Sequence, residues 1–268
     1  MHRGLTIAIV TSAFFHAVVA AGQAFAPTGS LTFEVASIKP SQPGAEEGGL
    51  HPAPGGRRYI GSNWVLRNYL SVAYQVKPSQ IAGGPAWVDT EFYDLNAEAE
   101  KPSSIEELHI MLQNLLTERF KLRFHYETKE TSAYVLTVDK GGPRNLKVHP
   151  SPSGGDLSFN KSAEQFLHEV WTARCATMDY FAFVLSPIFD RPILNQTGLN
   201  GCFDFQIKFT QDLPSGVKEG QLFNGVPIDT YGPTIFQALQ NQLGLKLESK
   251  RAPVATLFLD HAERPVEN

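Results

Sequence analysis

Hydrophobic positions along this chain change period repeatedly, and the changes mark its elements. Over residues 31–40, apolar Phe33, Val35 and Ile38 roughly alternate until Pro40 ends the run, which predicts a strand. Residues 42–56 are rich in Gly, Pro and Glu, lack any apolar period and read as a surface loop. A short strand is expected at 57–61. Beyond it Val65, Leu66, Tyr69, Leu70, Ala73 and Tyr74 recur at helical spacing, with Asn63 placed to cap the helix.

The same order of patterns returns later in the chain. Residues 63–139 and 177–261 each begin with a capped helix, the second with Thr177 before Met178, Phe181, Ala182, Leu185 and Ile188. Each helix leads to a strand, FYDLNAEAE from Phe92 and CFDFQIKFT from Cys202, with an Asp second after an aromatic: Tyr93-Asp94 and Phe203-Asp204. Each strand leads to a helix holding Leu-Gln-Asn, at 112–114 and 239–241. Strand entries follow at Arg119 and Gly244, and further strands from Ala133 and Ala255. With preceding strands at 57–61 and 168–172, the pattern predicts an α+β protein built as two tandem copies of a small β-α-β-α-β-β unit. The copies would span 27–140 and 157–268, joined by a Gly/Pro/Ser-rich linker at 141–156. The plainer alternative is one α+β domain whose elements alternate similarly. Residues 211–233 interrupt the second copy and read as an exposed excursion with a hairpin around 222–226.

The first residues follow a different grammar. His2 and Arg3 precede an uncharged apolar run from Leu5 to Ala21, and small residues follow it, the tripartite pattern of a secretory signal at 1–26. A bilayer span needs about 20 apolar residues; His16 interrupts a shorter run, so no membrane span is expected after cleavage. The expected location is therefore extracytoplasmic, periplasmic or secreted. Charge narrows the partners. Lys and Arg total 23 against 27 Asp and Glu, net −4, so no basic field for nucleic acid exists. At 42% hydrophobic, the 268 residues can supply real cores.

Candidate chemistry is sparse. His125 and Glu127 share one face of a predicted strand, but a zinc site needs three or four ligands and neither HExxH nor paired cysteines occur; no metal and no cofactor is expected. No GxSxG elbow is present, and Ser151, Ser153 and Ser158 sit in linker-like sequence. Cys175 has the chemistry of a thiol nucleophile, yet two cysteines in an exported chain more often pair, so a Cys175–Cys202 disulfide is expected, with two buried free thiols as the alternative. Asp94 and Asp204, repeated at one position of the pattern, suggest equal structural jobs at strand entry. The segment GGPAWVDTEFYD, 83–94, turns at Gly83-Gly84-Pro85 just before Trp87. Trp87, Tyr93 and Trp64 are accordingly the candidate ligand- or partner-binding residues, against a competing reading in which they pack over the first helix.

Taken in order, FEVASIKP, GGPAWVDTEFYDLNAEA, LQNLLTERFKLRFHYETKE, AYVLTVDKGGP, RPILNQTGLNGCFDF and ALQNQLGLKLESKRAPVATLFLDHAERPVEN resemble a large paralogous family of exported proteins of unknown function, multiplied in soil acidobacteria and first described from Solibacter. The resemblance covers residues 31–268 and implies no activity or catalytic residues. It implies relatives joined to membrane metallopeptidase sensors of the beta-lactam receptor type, hence a sensing or interaction role. The unit's element order also looks like the short N-terminal domain of secretins and TonB-dependent receptors, a likeness of fold. The expected function is an exported, non-catalytic binding or interaction protein for an extracytoplasmic protein, peptide or small ligand; the alternative is an exported hydrolase.

Overall fold

The computed structural model describes residues 31–42, 48–53, 55–150 and 158–266, so the expected signal segment lies outside the described residues. The first sheet uses β1 (Val35–Pro40), β2 (Leu50–Pro52) and β3 (Arg58–Val65). Helix α1 (Leu66–Ala73) and the short β4 (Ile81–Gly83) then intervene before β5 (Phe92–Glu98) completes it. Its order is β1-β5-β3-β2, antiparallel throughout. Along β5, Tyr93, Leu95 and Ala97 point inward and the residues between them outward, the period of two that a half-buried strand requires. Helix α2 (Ile105–Arg119) covers this face. Its first turn is fixed by a capping box between Ser104 and Glu107, and Ile105, Leu108, Leu112, Leu115 and Leu116 form its buried stripe.

The second sheet takes β7 (Lys147–Val148), β8 (Ser158–Gln165), β9 (His168–Ala176) and β11 (Phe203–Thr210), in the order β7-β11-β9-β8, again antiparallel. Between β9 and β11 run α3 (Met178–Leu185) and the short β10 (Ile193–Asn195). Thr177 caps α3 by accepting the Tyr180 N–H, as its sequence predicts. After β11 the chain makes its excursion, which carries a hairpin of β12 (Leu222–Phe223) and β13 (Val226–Pro227). It re-enters through α4 (Ile235–Ala238) and a π-helical turn, Leu239–Leu243.

Two long strands tie the sheets together. β6 (Arg123–Val138) and β14 (Leu245–His261) pair antiparallel over nearly their whole lengths, with β10 parallel to β6 on one side and β4 parallel to β14 on the other. Two hydrophobic cores result. The first gathers Tyr59, Leu70, Leu95, Leu112 and Phe120 with Leu257 and Leu259 from the end of β14; the second gathers Phe181, Phe205, Ile207 and Leu239 with Leu136 from the end of β6. Each core is thus closed by a strand that started in the other.

Several details depart from the sequence reading. The strand entries at Arg119 and Ala133 belong to one strand, β6, and those at Gly244 and Ala255 to one strand, β14; α2 itself runs through Arg119. The middle of β6, Thr128 to Ser132, is exposed and has no core period, but each residue there is paired across the ladder. A gap in hydrophobic period is not a gap in backbone pairing. Asn63 is not the cap of α1: it takes φ 45° within a bulge of β3, and Val65 precedes α1 without a side-chain cap. The Leu-Gln-Asn tripeptides both lie on helical segments but at different places in them, since Gln113 lies two turns before left-handed Lys121 and Gln240 one turn before left-handed Gly244. Within 141–156, Lys147 and Val148 pair with Asp204 and Phe203 on β11.

Candidate functional site

Trp87 and Tyr93 are core residues. Trp87 stacks on Phe120 with centroids 6.1 Å apart, and Tyr93 meets the same ring edge-on at 5.3 Å. Arg264 lies over the outer face of Trp87 and forks onto Glu91, which also accepts the Tyr93 hydroxyl. Trp64, half-buried opposite Tyr93 in the ladder, packs edge-on to Tyr69 at 5.8 Å. The three aromatics therefore lie near one another, mostly facing protein. Cys175 and Cys202 are bonded to each other with Cα atoms 4.6 Å apart, and Asp204 accepts the N–H of Cys175.

Acid–base pairs are scattered. His125 meets Asp260 and Glu127 on the exposed ribbon, and His149 meets Asp204. Burial raises the Asp204 carboxyl, but the Cys175 N–H and His149 more than offset this and hold it below its ordinary range. Thr210, His168 and Asp229 form a hydroxyl–imidazole–carboxylate set. There the Thr210 hydroxyl stands 3.4 Å from His168 Nδ1 and donates instead to the Tyr231 carbonyl at 3.0 Å, so its proton is not offered to the imidazole. Among the described residues no group of three His, Cys, Asp or Glu is placed to hold a metal ion.

A concavity large enough for a ligand lies in the second half of the chain. A groove of about 1000 Å³ opens between the second sheet, the turn after α3 and the start of α4. Its floor is Trp171 and Phe209, ring to ring at 5.1 Å. Its wall is an aromatic trio, Tyr134, Phe189 and Phe236, with centroid separations of 4.8, 6.0 and 5.5 Å. Phe236 is 42% exposed at the mouth. The groove exists because the cover is short. Over the first sheet the 15-residue α2 reaches far enough to lay His109 on Tyr59, centroids 6.1 Å apart; over the second, α4 contributes 4 residues and the π turn 5.

Polar groups line the groove at defined points. The Lys161 ammonium rests over the Trp171 indole, 4.3 Å from its centroid, where loss of water lowers its pKa and Glu169 opposes that shift. Glu169 itself is held by Trp171 Nε1 and Gln211 Nε2, each at 2.9 Å. Lys77, from the connection after α1, donates to the carbonyls of Ser186 and Phe189 and so braces the wall from the first half of the chain. The sequence reading found no groove, because its residues come from β6, β8, β9, β11 and the segments around α3 and α4.

No helix of the described residues is long and apolar enough to cross a membrane. No curated protein and no solved structure matches the chain. Residues 67–262, well over half of the chain, match the family described as Protein of unknown function (DUF3738), and the chain belongs to that family.

Proposed function

We propose that the chain is an exported, non-catalytic binding protein whose ligand seats in the aromatic groove of its second half. The groove carries this reading: its size, its ring-lined wall and its few fixed polar groups suit ligand recognition. The disulfide agrees with an oxidising compartment outside the cytoplasm.

In the same reading the two halves are copies of one unit, similar in fold to the short secretin and TonB-receptor domain. Support comes from the sheet orders, β1-β5-β3-β2 and β7-β11-β9-β8, which correspond strand for strand. Further support comes from α1 following β3 as α3 follows β9, and from the reciprocal pairing of β4 with β14 and β10 with β6. Where the first copy fills the place over its sheet with the start of α2, the second leaves it open, a difference suited to divergence toward binding.

The experiment is an NMR titration of the mature protein with a mixed library of sugars, amines and short peptides, following the Trp171 indole N–H. Ligands that shift this resonance in the wild type and fail to do so in Phe236→Ser support the reading. Ligands that bind while leaving the Trp171 signal unmoved overturn it.

A further inference from the structure

We infer that the excursion over residues 211–233 is a lid that folds across the groove; its use, though not its motion, rests on the groove being the ligand site. Both of its stems are rims of that groove. Gln211 and Asp212 line it where the excursion leaves β11, and Thr234 and Ile235 line it where the chain returns. The stems are pinned: the Thr210 N–H donates to the Pro233 carbonyl at 2.8 Å and the Gln211 N–H to the Leu167 carbonyl at 2.9 Å. Between them the chain is a unit of its own. The Gly220 N–H donates to the Ile228 carbonyl and the Ile228 N–H to that of Gln221, which lengthens the β12–β13 hairpin, and the Thr230 hydroxyl donates to Glu219 across it. Among the described residues, none from Leu213 to Tyr231 belongs to either hydrophobic core. A long loop that keeps internal structure but roots in no core moves as a body about its necks. Those necks are Pro214 to Gly216 and Gly232-Pro233, and a cavity of about 240 Å³ lined by Leu213, Thr230 and Gly232 leaves room between them.

Bare apolar surface on both sides of the gap favours closure. The hairpin pairs Leu222 with Pro227 and Phe223 with Val226, so both of its faces are apolar, and it carries no charge from Gln221 to Ile228. Leu222, Phe223 and Val226 are 64, 45 and 53% exposed, and Ile188 and Phe236 at the groove are 37 and 42% exposed. Asp190 is paired with Arg191, and Glu169 is held by Trp171 and Gln211, so wall and floor meet an uncharged tip with rings rather than bare charge. Three contacts hold the lid back against the end of the second sheet. His168 Nε2 meets Asp229 at 2.7 Å, the Thr210 hydroxyl donates to the Tyr231 carbonyl at 3.0 Å, and Phe223 stacks on Phe166 with centroids 4.3 Å apart.

A nitroxide on Val226→Cys is the probe, read through paramagnetic broadening of backbone amide signals in the mature protein. Broadening is expected at Ile188 and Phe236 as well as at Phe166. Asp229→Asn and Thr210→Val each remove one restraining contact, and each should raise the broadening at Ile188 and Phe236 roughly twofold or more. If neither variant raises it, the lid is overturned, whether the broadening stays at Phe166 or already reaches the groove. Broadening that spreads over the first half of the chain marks a detached loop and overturns it as well. Nitroxide-bearing chains are also mixed with isotope-labelled chains that lack the nitroxide, and the latter should stay sharp; their broadening overturns the lid in favour of contact with a second copy. No ligand enters the measurement, so the Trp171 titration decides the groove independently.

Discussion

The Asp94 carboxylate accepts the backbone N–H of Asn63 at 2.8 Å, at the residue where β3 turns left-handed before α1. Asp204 does the same for Cys175, also at 2.8 Å and with φ 49°. A residue with positive φ inside a strand loses its ladder partner, and a short acid on the neighbouring strand supplies the missing acceptor. The Asp94 contact is exposed, so Asp94→Ala is expected to cost about 1 kcal/mol, and Asp94→Asn less because an oxygen remains. Asp204→Ala should cost about 2 kcal/mol, since it also removes the carboxylate that meets the enclosed ring of His149. Urea unfolding of the three variants checks the order, which fails if Asp94→Ala proves the most damaging.

Breaking the disulfide separates two effects at one position. Cys175→Ala/Cys202→Ala should lose about 3–4 kcal/mol on the chain-entropy estimate for the loop between the cysteines. Cys175→Gly/Cys202→Ala should recover about 1 kcal/mol of that, because glycine accepts φ 49° without a Cβ penalty. Thermal denaturation of both variants under matched conditions gives the difference; an alanine variant at least as stable as the glycine one would contradict it.

His109 makes stability fall in mild acid. Burial lowers its pKa from 6.5 to about 4, and its Nδ1 accepts from Gln75, as the neutral ring requires. The unfolded chain takes up a proton as pH falls through 6.5 and the folded chain does not until about 4, so stability is full above 6.5 and is lost progressively between the two values. The loss amounts to about 3 kcal/mol at the lower end. Denaturant titrations from pH 7 to 4 should show this slope, and His109→Gln should flatten it.

Lys77→Ala should loosen the groove wall without disturbing the first core. Its ammonium donates to two carbonyls of the turn after α3, so hydrogen exchange over residues 186–190 is expected to quicken severalfold while that of α2 stays unchanged. Uniform quickening of both segments would show a general loss of stability instead.

Export predicts a processed chain. N-terminal sequencing of the exported protein should find a start between Gly22 and Pro27; retention of Met1 would refute it.

Local physics made much of the fold legible in the sequence. Thr177 announces its helix, Gly and Pro bracket the 222–226 hairpin, and alternation marks β5 and β11 because one face of each is solvated. Asn63 misleads for a physical reason: Asn suits both a helix cap and a left-handed bulge, and the choice is made by Asp94, a residue on another strand. The extent of β6 is hidden because its solvated middle carries no period, and that of β14 because the exposed run from Glu248 to Arg251 interrupts its alternation. The groove is hidden further still, for it arises from the shortness of α4 relative to α2, a comparison of covers that no single stretch of residues records.

The crossing of β6 and β14 also sets an order of events during synthesis. Leu257 and Leu259 belong to the first core, yet they follow its other buried residues, Ile38 to Leu122, by more than a hundred positions, and β4 waits for β14 to give it a partner. Such distant pairings carry a large loop-closure entropy before any contact rewards it, which slows folding. The emerging first half therefore has an unfinished core and an unpaired strand. The core of the first half closes only when β14 has been made and can lay Leu257 and Leu259 into it.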